Sequence, residues 1–283
     1  MIARRLAAAL AAAFALAAAP AGAVQPSTKH ARLPESLGLA YESIRFAAAG
    51  DSLPIAGWWF AGPEGGPVMV LAPRGRGTMA DLLPAVREFQ ARGFAVLSFD
   101  YRDFGPQGAG AQDSLRFVVF ASRWVDDMAG ALRYARTRAG GARVFAWGQD
   151  LGSATAVAAA ARDRRLCDAL AVEGLFRTSQ ELLRFNGSSV VPGLPELHQQ
   201  LVDGADEPLS ACARLQVPLF VVLAGKDEVT PPAITQEVAR RNPIRMDLWK
   251  IPDAGHDGAE KTPGYFDNLA RWFKRWVALP SGN

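Results

Sequence analysis

The sequence predicts an α/β fold built on an eight-stranded, mostly parallel sheet with helices on both faces. Three observations predict it. Short apolar runs alternate with amphipathic stretches along nearly the whole chain. Each run is bounded by Gly, Pro or Asp and is too short for a helix core. The 283 residues, with 27 Gly and 19 Pro, have an ordinary globular composition, which excludes collagen, coiled coil and disorder.

In chain order, 43–48 and 55–60 flank Ala49-Gly50-Asp51-Ser52 and read as an opening hairpin. Buried strands are expected at 68–72, 95–99, 144–147, 169–172, 219–224 and 247–251. Helical periodicity separates them at 80–92, 118–138, 151–162, 231–241 and 265–277. On the last helix Leu269, Trp272, Phe273 and Trp276 share one face and are core residues, as are Trp58 and Trp59. The interval 175–215 is too long for an ordinary connection and carries two Gly/Pro/Asn-rich turns, so it is expected to be a short lid.

The first 23 residues have a basic start (Arg4, Arg5), an apolar Ala/Leu/Phe run and a small-residue end at Ala21-Gly22-Ala23. They read as a secretory signal peptide cleaved before Val24, which predicts a secreted or periplasmic bacterial envelope protein with no stable membrane anchor. A polar arm over 24–40 then leads into the domain, 41–283, and is expected to run over the surface. Losing Arg4 and Arg5 leaves 29 basic against 28 acidic residues, so charge does not point to nucleic acid. The two cysteines, Cys167 and Cys212, precede neighbouring strands. A disulfide and two separate buried thiols both remain open.

In an open α/β sheet the site lies beyond the carboxyl ends of the strands. After 144–147 comes Gly148-Gln149-Asp150-Leu151-Gly152, leading straight into an Ala-rich helix. Strand, Gly-x-nucleophile-x-Gly turn and helix form a nucleophile elbow. After 219–224 a carboxylate stands at Asp227, and after the last strand an imidazole stands at His256. On these residues, in this order, and on Phe99-Asp100-Tyr101-Arg102, the chain resembles the α/β-hydrolase superfamily. It is most similar to the compact lipase-, esterase- and acylaminoacyl-peptidase-like serine hydrolases, over essentially all of 41–277.

The resemblance implies an α/β-hydrolase fold with Asp150, His256 and Asp227 as its catalytic constellation. It implies Leu151 and the Arg74-Gly75-Arg76 loop as oxyanion or substrate-binding elements. Two departures define the chemistry. Serine hydrolases carry Ser at the elbow, and this chain carries Asp150. A carboxylate attacking an acyl carbon gives a mixed anhydride, whereas attack at an alkyl carbon gives an ester that His-activated water cleaves, as in the superfamily's dehalogenases and epoxide hydrolases. The second departure is Pro73-Arg74-Gly75-Arg76-Gly77 where the family usually has His-Gly. Its arginines would bind an anionic substrate, keep Asp150 ionised, or block it by a bidentate pair. The helpers usual for alkyl transfer are missing: Leu151 replaces a halide-binding Trp, and no Tyr lies in 175–215.

The expected function is therefore an exported hydrolase acting on a small molecule through an Asp-His-Asp constellation. The alternative is an inactive serine-hydrolase descendant that binds a ligand or partner. A third reading, with Ser153 as nucleophile, places that side chain off the elbow apex. Glu173 is a reserve acid, with an arginine pair as its structural alternative. His30 and His198 are expected to be solvated or locally bonded, Asp253 and Asp257 to be turn residues, and Asp100 a turn cap. Asn186-Gly187-Ser188 matches a glycosylation acceptor by chance. No metal spacing, phosphate loop or dinucleotide fingerprint is present, and no cofactor is implied.

Overall fold

The computed structural model describes residues 24–108, 118–185 and 200–277. The signal-like segment, Asn186-Gly187-Ser188 and His198 lie outside them. Among the described residues no helix is long and apolar enough to cross a membrane.

Eight strands form one sheet: β2 (Glu42–Ala47), β3 (Pro54–Phe60), β4 (Val68–Ala72), β6 (Ala95–Phe99), β7 (Val144–Gln149), β8 (Ala169–Glu173), β9 (Leu219–Ala224) and β10 (Met246–Ile251). Their order is β10-β9-β8-β7-β4-β6-β3-β2, parallel except at β2/β3 and β3/β6. The five strands β4, β6, β7, β8 and β9 are buried at every residue, as their unbroken apolar runs require. Both edge strands, β2 and β10, are partly exposed.

Helices cover both faces. On one lie α2 (Ser122–Arg138), α3 (Leu151–Arg162), α5 (Pro208–Arg214) and α6 (Pro232–Ala239). On the other lie α1 (Leu83–Gln90) and α7 (Tyr265–Val277). Leu269, Trp272 and Phe273 are buried as their spacing predicts, and Trp276 packs against the same cluster. Three helical expectations are shortened, the one over 231–241 to α6. Thr78 and Asp81 form a capping box that makes Met79–Leu82 a 3-10 turn before α1. Residues up to Ala121, which is extended, precede α2. The interval 175–215 contains α4 (Ser179–Phe185) and α5, both too short to stand out by periodicity.

The arm departs from expectation. It does not merely cross the surface: Val24 is 3% exposed and donates to Val118 O at 2.9 Å. β1 (Gln25–Pro26) pairs in parallel with β5 (Arg76–Gly77), and Gln25 N–H donates to Gly75 O at 2.7 Å. His30 is neither solvated nor locally bonded: its Nε2 meets Asp100 Oδ2 at 2.7 Å. Asp100 caps no turn of its own but also accepts from Met79 N–H at 2.6 Å. Cys167 and Cys212 are both buried free thiols, so the disulfide alternative is not realised.

The elbow requires its glycines. A Cβ on Gly148 would fall 2.4 Å from Gly152 C, and one on Gly152 would fall 2.4 Å from Ala72 O. In both cases the obstacle is backbone, which cannot swing aside. Gly148→Ala is expected to cost about 2–3 kcal/mol of stability by overpacking the strand–helix contact. Urea denaturation checks this, and a change under about 0.5 kcal/mol would contradict the packing account.

Candidate active site

Asp150 occupies the turn between β7 and α3 with φ +53 and ψ −119, one of two non-glycine residues with positive φ among the described residues. Such a conformation persists only where the surroundings over-determine it. Here Asp150 N–H donates to Glu173 O at 2.9 Å, tying the apex to the end of β8. Ser153 Oγ lies 2.7 Å from Gly148 O and 2.6 Å from Glu173 O as donor, and accepts from Glu173 N–H at 3.0 Å. That fully engaged, buried hydroxyl is a latch beneath the elbow, so the reading of Ser153 as nucleophile fails.

The acid and the histidine converge on the apex. Asp227 accepts from His256 Nδ1 at 3.1 Å, which directs Nε2 to within 3.5 Å of Asp150 Oδ2. Asp227 is itself fixed by Thr230, whose N–H and Oγ1 each donate at 2.8 Å, and by Val229 N–H at 2.9 Å. Asp227 thus both fastens the loop before α6 and orients His256, while the N-cap position of α6 is taken by Pro231. Burial alone would raise the Asp227 pKa, but the bonds from His256 and Thr230 hold it below the usual carboxylate range. For His256, burial opposes the charged form and the carboxylates of Asp227, Asp150 and Asp257 outweigh it, so its pKa is raised.

Arg74 and Arg76 also reach the apex, at 4.0 Å (Nε) and 3.6 Å (Nη2) from Asp150 Oδ2. Their direct bonds go elsewhere. Arg76 makes a bidentate pair with Asp257, at 2.6 and 3.3 Å, and Arg74 bonds Asp257 at 3.1 Å and Glu260 at 3.4 Å. The blocking bidentate pair with Asp150 is not formed. Asp257 is thus more than a turn residue. It is the carboxylate that draws both guanidiniums off the apex, and its neighbour His256 in sequence was the only available hint. Asp253, by contrast, is an exposed turn residue paired with Lys226.

Asp150 Oδ2 is buried and lacks a hydrogen-bond partner. Burial pushes the carboxyl pKa up to about 6, against the opposing pull of His256, Arg74 and Arg76. The other oxygen, Oδ1, lies where a Cβ on Gly174 (φ +74) would approach to 2.5 Å, so position 174 has room only for glycine. Leu151 opens α3, and its side chain would be 3.0 Å from a Cβ on Gly75 (φ +88). The first residue of the helix and the glycine turn therefore lie against each other beside the apex. Apolar Val119, Leu151, Phe176, Leu182 and Val229 close the pocket, leaving a cavity of about 20 Å³ at Asp150.

Asp150, His256 and Asp257 each bring one metal-ligating atom within 4.8 Å of the others. Arg76 already supplies the positive charge there, lying 2.6 Å from one of these carboxylates and 3.6 Å from the other. A cation site on the three residues would have to expel it. Glu173 does not serve as reserve acid: it makes no bond to His256 and no arginine pair, and instead meets Gln149 Nε2 at 3.0 Å and Tyr265 OH at 3.3 Å.

An elbow between a parallel strand and a helix, with acid and histidine from the ends of later strands, is the arrangement of the α/β-hydrolase fold. Comparison with known proteins agrees. Residues 66–185 match the family model described as serine aminopeptidase, S33. The fold is similar to that of Pyrococcus furiosus esterase Pf2001, at a TM-score of 0.70 and 16% identity, covering 90% of this chain and 100% of that one. It is also similar to the acylaminoacyl peptidase of Pyrococcus horikoshii, at a TM-score of 0.62 and 14% identity, covering 87% of this chain and 43% of the peptidase. In sequence the chain is 25% identical over 237 residues to an uncharacterized protein of Mycobacterium tuberculosis, covering 81% of this chain and 78% of that protein. The chain has the α/β-hydrolase fold, and the family matched over 66–185 and the structural neighbours named here are hydrolases.

Proposed function

We propose that the protein is an exported hydrolase that uses Asp150 as a carboxylate nucleophile on an alkyl carbon of a small substrate. The observation that carries the reading is the complete relay behind a carboxylate apex. Asp227 holds His256 Nδ1, and His256 Nε2 stands 3.5 Å from Asp150 Oδ2. Export rests on the signal-like character of the first 23 residues.

In the first step an Asp150 oxygen donates an electron pair to carbon, and the leaving group departs with the bonding pair. Arg76 and protonated His256 face the charge that moves, and the His256 proton goes to a basic leaving oxygen or to solvent. Ester formation removes the Asp150 charge, one of the causes that raise the His256 pKa. His256 therefore gives up its proton more readily and stands as the neutral imidazole that can accept one from water. In the second step it takes a proton from water, and the water oxygen bonds to Asp150 Cγ. The tetrahedral oxyanion then collapses, expelling the product alkoxide, which receives the proton back from His256.

The atom balance gives the test. In a single turnover in heavy-oxygen water, with short haloalkanes, haloalkanoates and epoxides as the panel, the label is expected in the Asp150 carboxylate and not in the first-formed alcohol. Label in the alcohol alone would refute the carboxylate nucleophile. A second reading, an inactive descendant that binds a ligand or partner, draws on the small cavity and the three cations around Asp150. It predicts no covalent adduct with any member of the panel.

A further inference from the structure

Among the described residues six buried side-chain nitrogen or oxygen atoms lack a hydrogen-bond partner, and four of them belong to Arg74, Gln149, Asp150 and Glu173. Two of these four, Gln149 Oε1 and Glu173 Oε1, sit on end groups already joined by another bond. Gln149 Nε2 donates to Glu173 Oε2 at 3.0 Å. The two residues are opposite each other in the parallel pairing of β7 with β8, and they are 1% and 2% exposed. Two acceptor oxygens left unsatisfied at this depth are costly, and one proton removes both defects. If Glu173 Oε1 carries a hydrogen, it donates to Gln149 Oε1, and carboxylic acid and amide close a ring of two hydrogen bonds.

We propose that Glu173 is a neutral carboxylic acid paired cyclically with the Gln149 amide, a positioning residue that seats the elbow and leaves Asp150 as the charged carboxylate of the site. The surroundings of Glu173 fit a neutral acid. From β7 it faces Gln149, from the elbow Asp150, from α7 the hydroxyl of Tyr265, and from the loop after β4 Arg74. Tyr265 OH in turn accepts from Trp147 Nε1 at 3.2 Å and donates to Glu173 Oε2. Arg74 is committed to Asp257 and Glu260, so no cation bonds the buried carboxyl directly. Burial, reinforced by the Asp150 charge, pushes the Glu173 pKa up to about 8. The backbone of the same residue holds the apex through Asp150 N–H and Ser153 Oγ. A second buried negative charge at this point would also favour protonation of Asp150.

Glu173→Gln retains a neutral group able to pair with Gln149 and is the diagnostic variant. The infrared difference between the natural protein and Glu173→Gln at neutral pH is expected to contain the C=O stretch of a protonated carboxyl group, displaced on transfer to D₂O. Carboxylate bands in its place would overturn the proposal. Stability supplies a second readout. A carboxyl whose pKa is raised in the folded state contributes its stability fully below the unfolded value near 4.3 and loses it as pH rises through about 8. The melting temperature of Glu173→Gln minus that of the natural protein is therefore expected to grow by at least about 3 °C between roughly pH 5 and pH 8. A constant difference would count against a neutral Glu173. If the variant fails to fold, carbon-13 NMR of carboxyl-labelled glutamate in the natural protein reads the same group: one resonance is expected to titrate near pH 8, and none doing so would overturn the assignment. The protonation of Glu173 is measured without turnover, so its failure is distinct from failure of the carboxylate mechanism.

Discussion

Asp150→Ser is expected to turn the protein into an esterase, raising hydrolysis of p-nitrophenyl acetate about a hundredfold or more over the natural protein. The elbow, the acid and the histidine of a serine site are assembled around the apex. The apex is fixed at φ +53 by the Gly148 and Gly152 contacts and the Ser153 latch, none of which involves the Asp150 side chain. A serine hydroxyl there would face His256 Nε2, whose Nδ1 is held by Asp227. The electrostatics change in the same direction. The Asp150 charge is among the causes that raise the His256 pKa, so its removal favours the neutral imidazole that a general base requires. A folded variant with less than about a tenfold gain would show that the Arg74-Gly75-Arg76 loop does not leave an oxyanion site open.

That loop decides how the apex behaves. Two guanidiniums within 4.0 Å of a carboxylate would ordinarily quench it as a nucleophile. Asp257 and Glu260 take up their direct hydrogen bonds, so Asp150 feels their charge without being bonded to them. The result is a buried carboxylate kept ionisable near neutrality with an oxygen left unbonded, a combination suited to attack on a small electrophile. The arm contributes through Gln25 N–H, which fixes Gly75 O and with it the turn carrying both arginines.

The sheet and the order of elbow, acid and histidine were legible because both are written locally. Apolar runs bounded by Gly, Pro or Asp mark strands, and Gly148-Gln149-Asp150-Leu151-Gly152 is contiguous. What escaped was long-range pairing between polar groups. Asp257 reads as a turn residue until Arg76, 181 positions earlier, is found bonded to it. His30 and Asp100 are 70 positions apart, and a two-residue strand such as β1 leaves no periodicity to detect. Glu173 reads as a carboxylate at a strand end, for which the sequence suggests an arginine partner. The strand register supplied an amide instead, because Gln149 is opposite it.

His256→Gln is expected to stop turnover after the first chemical step, with about a thousandfold loss of product formation or more and a stable alkyl ester on Asp150. The variant keeps a polar side chain near Asp227 but has no group that can take a proton from water at neutral pH. Attack by Asp150 needs only an ionised carboxylate, which Arg74 and Arg76 continue to favour in the variant. The variant lacks the His256 charge that lowers the Asp150 pKa, so ester formation in it should rise with pH as a single carboxyl titration would, with its midpoint above that of the natural protein. Intact-mass spectra after exposure to the haloalkane panel would show one added alkyl group, and peptide mapping would place it on residue 150. The same experiment separates the two functional readings. An adduct that accumulates in His256→Gln and clears in the natural protein requires a working carboxylate nucleophile. Absence of any adduct, in a protein whose Asp150→Ser variant hydrolyses esters, would mean that the pocket survives while Asp150 has ended its chemistry.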